Sequence, residues 1–418
     1  MNKALIVLTD FYPYRSGENF IDTERDQWDR FDQVYIIPVM AENTDIIRPG
    51  FRIKKNETII RVRNDYTKFS KMISVFSGER GFRCVLKEMR YLYDNHLLRT
   101  STVKEMLWQH ALAGLRYRSI RKSIKEIPGD CRILIYSYWL YEPALVAVNI
   151  RSQLKEARLI SRAHGYDLYL ERYREHYIPF REMLLDSADT VYTVSDHGKN
   201  YLSSLFNRKY DDKIRVSRLG SLKRNSKDNP ESTPGQEPVI VSCSNLIGVK
   251  RVHLIIEALK QFPGAITWYH FGDGDLRDEI MTQSSQLPQN VHVYIRGKVD
   301  NAEIQQFYAN THIDAFINVS ESEGVPVSIM EAQSYDIPVV ATDVGGTGEI
   351  VKHKVNGYLL RKNFTNDELI SAVLSIKEKG EYYRKMAKNG WEENSDGIRL
   401  YRAFFDHELT ILESGNRS

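Results

Sequence analysis

The chain has 418 residues, 42% hydrophobic and 27% charged, with 58 Lys and Arg against 55 Asp and Glu. That length exceeds one ordinary core and suits two domains of roughly 200 residues each, and the composition excludes a disordered or fibrous protein. The longest apolar runs are strand-sized, far below the ~20 residues of a membrane span, and Cys84, Cys131 and Cys243 have neither disulfide nor zinc spacing.

Lys3 and a run of five apolar residues precede Thr9, which predicts a buried first strand and not a secretory leader. A cytoplasmic location follows, at most peripheral to the inner face of the plasma membrane. Further strands are predicted at Val34–Pro38, Ile133–Tyr136, Leu159–Ser161 and Thr190–Val194, with helices at Ile21–Phe31 and Arg181–Ser187. Between Arg52 and Lys125 there are 18 Lys and Arg but only 6 Asp and Glu. Such a balance suits an anionic bilayer surface or a phosphate-bearing acceptor, and equally the solvated faces of ordinary helices. No nucleic-acid recognition motif accompanies it.

Residues 223–238 contain no apolar residue besides prolines and read as a linker. Beyond it, strands are predicted at Val239–Cys243, Thr267–Phe271, Val291–Arg296, Ala315–Ile317 and Pro338–Ala341. Helices are predicted at Arg251–Gln261, Leu276–Gln286, Asn301–Asn310 and Pro326–Tyr335. This alternation implies an α/β chain with two doubly wound, Rossmann-like domains, residues 1–222 and 239–395. The tail from Trp391 to Leu412 is helical in pattern, and its last part, 396–418, is free to return to the first domain.

The densest chemistry lies between Asn318 and Val351. A strand ends near Ile317, and Glu323, Gly324, Val325 and Pro326 lead into a helix that carries Glu331. Free N–H groups at a helix start favour an anion. A second glycine-assisted turn follows the next strand, at Gly345, Gly346 and Gly348, so two adjacent strand ends describe a phosphate-binding crevice. Taken singly, Glu323 reads as a helix cap and Glu331 as a solvated helical residue.

As a whole the region resembles the family 4 glycosyltransferases of GT-B fold, in particular the colanic-acid and amylovoran type. SESEGVPVSIMEA from Ser320 carries that family's two glutamates separated by seven residues, and PVVATDVGG, Glu349 and NGYLL extend the match. The resemblance implies that Glu323 contacts the sugar of a nucleotide-sugar donor and that Glu331 binds the ribose. SCSNLIGVKRVHLIIEAL from Ser242 resembles the segment holding the donor diphosphate, with Lys250 as its cation. The family's arginine is replaced by Asn245, leaving Arg251 as the candidate second cation. Gly272 belongs to a matching strand end, HFGDGDLRDEI.

In the first half, Gly17 and Glu18 fall in a loop after the first strand that the family turns toward donor and acceptor; a plain helix start explains the same residues. SRAHGYDLYLERY from Ser161 places His164 where the family contacts the donor sugar, with Arg162 and Asp167 on the acceptor side. Residue by residue, His164 also reads as a histidine satisfied by Asp167. The resemblance implies retaining transfer from a UDP- or GDP-sugar to a glycan acceptor, lipid-linked in cell-surface polysaccharide assembly. It implies no metal, no cofactor and no covalent intermediate. A nucleotide-sugar epimerase of the same fold and a silent scaffold remain the competing classes.

Overall fold

The computed structural model describes residues 2–14, 18, 20–67, 70, 81–223 and 236–415. Two compact units emerge, one of Met1–Ser217 with Arg402–Ser418 and the other of Arg218–Tyr401. Gly17 and residues 224–235 of the expected linker lie outside the described residues, as do residues 71–80 of the basic stretch.

Among the described residues, the first unit holds a seven-stranded sheet: β1 (Lys3–Thr9), β2 (Gln33–Pro38), β3 (Glu57–Ile59), β4 (Arg132–Ser137), β5 (Arg158–Ala163), β6 (Thr190–Thr193) and β7 (Ile214–Val216). Its order is β3-β2-β1-β4-β5-β6-β7, and every pairing is parallel. β1 shows why the sequence reads as an unbroken apolar run. Ala4, Ile6 and Leu8 pack on one face with Tyr117, Ile120 and Leu145. Leu5 and Val7 pack on the other with Trp28, Phe31, Phe404 and Phe405. A parallel strand covered on both faces has no solvent side to make polar.

The second unit has six described strands: β8 (Val239–Cys243), β9 (Ile266–Phe271), β10 (Val291–Ile295), β11 (Ala315–Asn318), β12 (Val339–Thr342) and β13 (Gly357–Leu360). They are ordered β10-β9-β8-β11-β12-β13, again all parallel. Each sheet reverses its direction of growth once, at β1/β4 and at β8/β11. In open α/β sheets, ligands bind beyond the carboxyl ends of the strands at such reversals.

Two predicted helices are differently made. The stretch Ile21–Phe31 is an α-helical turn, Ile21–Arg25, that tightens into a 3₁₀ turn, Asp26–Arg30. The tail is two helices, Gly380–Asn394 and Gly397–Ser414. They part where Ser221 donates its N–H to Ser395 O and accepts from Gly397 N, both at 2.9 Å. The crossing is close: a Cβ on Gly220 would lie 2.4 Å from Gly397 Cα. Among the described residues, no helix is long and apolar enough to cross a membrane.

From Arg402 onward the last helix belongs to the first unit. Phe404, Phe405, Leu409 and Leu412 fill one side of that core, and the carboxylate of Glu408 lies fully buried among them. It accepts from Arg158 Nε at 2.8 Å and Nη2 at 3.3 Å, and from the Tyr192 hydroxyl. Removing one partner of a buried ion pair strands the other charge. Glu408→Ala is therefore expected to cost about 3–5 kcal/mol, read from urea unfolding. Arg158→Met combined with Glu408→Leu should return most of that loss.

Candidate functional site

In the second unit the loops after β8 and β11 are tied together by Glu321 N–H donating to Val249 O at 2.8 Å. That tie brings the 3₁₀ turn Gly248–Lys250 beside the segment leading to Glu323. Lys250 Nζ reaches Glu323 Oε1 at 2.6 Å, with the two side chains 22% and 8% exposed. Asn318, the last residue of β11, adds a longer contact to the same oxygen at 3.4 Å. An ammonium and a carboxylate therefore meet at the β8/β11 reversal, partly screened from water.

The surrounding backbone holds Glu323 in place. Gly345 adopts φ +55°, and a Cβ there would lie 1.8 Å from Glu323 O; Gly346 N donates to Gly324 O at 2.7 Å. The glycine turn after β12 thus packs directly on the Glu323–Gly324 backbone. Gly324, Val325 and Pro326 are buried. Pro326 is not inside the first helical turn: it is the N-cap of Val327–Gln333, with ψ 110°. Glu331 lies in that helix and accepts from Asn301 Nδ2 at 2.9 Å.

Arg251 does not supply a second cation beside Lys250. At φ 49°, it directs its guanidinium to carbonyls, Val319 O at 2.8 Å, Lys362 O at 2.9 Å and Ser320 O at 3.2 Å. Its side chain bridges the exits of β11 and β13. Asn245 is exposed. Gly272 serves a close approach: at φ +146°, a Cβ would lie 1.8 Å from Ser244 O.

In the first unit, three residues expected on the acceptor side are scaffolding. Glu18 accepts the N–H groups of Asp10, Phe11 and Tyr12 at 3.1, 2.7 and 2.7 Å, and the Trp139 indole at 2.6 Å. Asp167 accepts Leu140 N at 2.7 Å and His164 N at 2.6 Å. Arg162 is fully buried, bonding Glu24 at 2.7 Å and Ser217 at 3.0 Å. The reason is common to all three. Loops leaving the strand ends carry polar groups that no strand satisfies, and these side chains satisfy them or pair in the core.

His164 is different. Its ring lies 4.4 Å from Trp139 and 5.1 Å from Tyr138, centroid to centroid. Asp167 Oδ2 stands 3.8 Å from Nδ1, beyond hydrogen-bond reach, and neither ring nitrogen has a hydrogen-bond partner. Burial holds its pKa below the ordinary value, so the ring is neutral at neutral pH.

A residue the motifs did not single out stands nearby. Asp10, at the end of β1, accepts the Tyr141 hydroxyl on Oδ2, while Oδ1 is buried without a partner. Burial, then the Glu18 carboxylate, push its pKa from 3.8 to about 8. The available signal was the aromatic run Tyr138, Trp139, Tyr141 directly after a buried strand.

A separate groove of about 920 Å³ beside β13 and the helix Asn366–Glu378 is lined in part by His353, Lys354, Tyr358, Arg361 and Lys362. Two of its cations are already matched, Arg361 to Glu368 at 2.8 Å and Lys362 to Glu321 at 3.1 Å. Among the described residues, no group of three or more His, Cys, Asp or Glu side chains could hold a metal ion.

Residues 223–393, which contain the Lys250–Glu323 pair, match the family described as "Glycosyl transferases group 1". The second unit carries a group 1 glycosyltransferase domain. Relatives include the colanic acid biosynthesis glycosyltransferase WcaL of Escherichia coli K12, 26% identical over 52% of this chain and 59% of that protein. The amylovoran biosynthesis glycosyltransferase AmsK of Erwinia amylovora is 27% identical over 41% and 43%. The chain thus spans about half the length of the curated relatives it matches. Whole-chain likeness comes from solved structures. HepE of Anabaena, crystallised with UDP and glucose, superposes with TM-score 0.64 at 16% identity over 98% of this chain and all of that one. Sucrose-phosphate synthase of Thermosynechococcus elongatus gives 0.69 at 15% over 99% and 100%. The two parallel sheets are those of the GT-B fold.

Two outcomes are expected of the group 1 domain and the unit before it. Gly345→Ala should cost at least about 1–2 kcal/mol from the left-handed backbone alone, visible in thermal melting, because a Cβ also collides with Glu323 O. For Asp10, the folded-state pKa exceeds the unfolded one. Its contribution to stability is fully present below about pH 4 and is lost as pH rises to about 8. Asp10→Asn removes that dependence, so its melting temperature relative to wild type should rise between pH 5 and pH 8.5.

Proposed function

We propose that this protein transfers a hexosyl group from a UDP- or GDP-sugar to a hydroxyl of a glycan acceptor in cell-surface polysaccharide synthesis, with the anomeric configuration kept. The observation that carries the reading is the Lys250–Glu323 pair at the β8/β11 reversal, inside the group 1 domain. A diphosphate arriving there competes with Glu323 for the ammonium. Lys250 then neutralises the departing diphosphate, and Glu323 is released to hydrogen-bond the sugar hydroxyls. Glu331, one helix turn region further on, takes the ribose. Positioning does the rest, with no metal and no covalent enzyme intermediate.

The partners follow from this reading. The acceptor is lipid-linked, and the protein works as a peripheral protein at the inner face of the plasma membrane. Support comes from the helix Gly81–Asp94, where Arg83, Leu86, Lys87, Arg90 and Tyr93 are exposed at spacings of three and four. Such a face suits an anionic interface.

The test is a thermal-shift panel of UDP-, GDP- and ADP-sugars followed by transfer assays. A donor at about 100 times its dissociation constant adds about 2.7 kcal/mol of stability. Lys250→Ala should lower kcat by about 10²–10³-fold, and Glu323→Ala should abolish transfer. Unchanged transfer in both variants removes the pair from the donor site.

A further inference from the structure

The scaffolding at the carboxyl ends of β1, β4 and β5 leaves a residue of unused chemistry. Glu18 and Asp167 give their oxygens to backbone N–H groups and to Trp139. Beside them, Asp10 Oδ1 and both ring nitrogens of His164 are buried with no hydrogen-bond partner, and His164 is only 8% exposed. A buried polar atom left unpaired costs about 1–3 kcal/mol, so three in one neighbourhood mark a place where a ligand's polar groups complete the bonding.

The aromatic rings say what kind of ligand. Trp139 lies 4.4 Å from the His164 ring and 6.4 Å from the ring of Tyr141, whose hydroxyl bonds Asp10. The series continues outward through Tyr166, 6.0 Å from Tyr141 and 53% exposed. A flat apolar surface beside hydrogen-bonding groups matches a pyranose, which has a C–H face and a rim of hydroxyls. We propose that Asp10 is an acceptor-positioning residue: its Oδ1 takes a hydroxyl of an acceptor pyranose whose C–H face packs on Trp139, while Tyr141 holds Oδ2. Naming the sugar as acceptor rests on the transferase reading above; the subsite itself does not.

Asp10 is faced by carboxylates and a phenol. Glu18 comes from its own loop, Tyr141 and Glu142 from the segment after β4, and Asp167 from the loop after β5. Glu142 is paired with Arg116. Burial first, and then the Glu18, Asp167 and Glu142 carboxylates, keep Asp10 protonated until about pH 8, against the Tyr141 hydrogen bond, which lowers its pKa. A hydroxyl donating to the ionised carboxylate makes a charge-assisted bond, so pyranose binding strengthens as pH rises through that value.

The experiment uses the full chain with methyl α-glucopyranoside, methyl α-mannopyranoside and methyl β-galactopyranoside, which carry no nucleotide and cannot act as donors. Affinity is read by Trp fluorescence and calorimetry from pH 6 to 9, with UDP binding measured on the same samples. At least one glycoside should bind, tightening with pH. Asp10→Ala should weaken it at least tenfold, and Asp10→Asn should bind it with a flat pH profile. Tyr141→Phe, which removes a bond that lowers the Asp10 pKa, should move the midpoint to higher pH. The proposal is overturned if no glycoside binds while UDP does, or if Asp10→Ala stays within twofold of wild type. Glycoside binding without binding of any nucleotide sugar sinks the transferase reading and leaves the subsite standing.

Discussion

Loops that leave a parallel sheet at its carboxyl edge carry N–H and C=O groups with no strand partner, and burying them unpaired is costly. Both units meet this constraint with charged side chains. Glu18 gathers three N–H groups after β1, Asp167 links the exits of β4 and β5, and Arg251 holds carbonyls after β11 and β13. Everything at the two sheet reversals depends on loops held this way. A carboxylate or guanidinium that is spent on backbone has fewer hydrogen-bonding sites left for a ligand. The division of labour between scaffold and chemistry therefore falls within single motifs.

That division explains what the sequence made legible. Inner strands such as β1 and β12 were readable because both sheet faces are covered there and the apolar run is nearly unbroken; β3, β7 and β13, three or four residues each at the sheet edges, carry too short a run to register. The glutamate spacing around Glu323 pointed to the loop on which the turn after β12 packs and which Lys250 reaches. The same motif reasoning assigned ligand roles to Arg162, Asp167, Glu18 and Arg251, whose side chains turn inward or toward backbone. Motif spacing records that a charge is needed at a position but not which partner it meets. Asp10 went unnoticed for the converse reason: a lone carboxylate after a strand looks like any loop residue until Glu18 and Tyr141 are folded against it.

The two reversals are built on different electrostatics. At β8/β11 a cation and an anion neutralise each other, a local arrangement that a diphosphate can reorganise by exchange of partners. At β1/β4 the groups around Asp10 are carboxylates and the Tyr141 phenol, and the nearby His164 ring is uncharged. Under the proposed transfer, one centre takes the charged group that departs and the other a neutral, hydroxyl-rich molecule.

The C-terminal helix carries a consequence for how the protein is made. Phe404, Phe405 and Leu412 form one wall of the first unit's core, and Glu408 holds Arg158. These residues emerge from the ribosome after the whole second unit. The N-terminal half thus waits, with part of one apolar sheet face uncovered, until nearly 200 later residues have been synthesised. During that interval it is a natural client for chaperones, and a message truncated before Arg402 leaves that face permanently open.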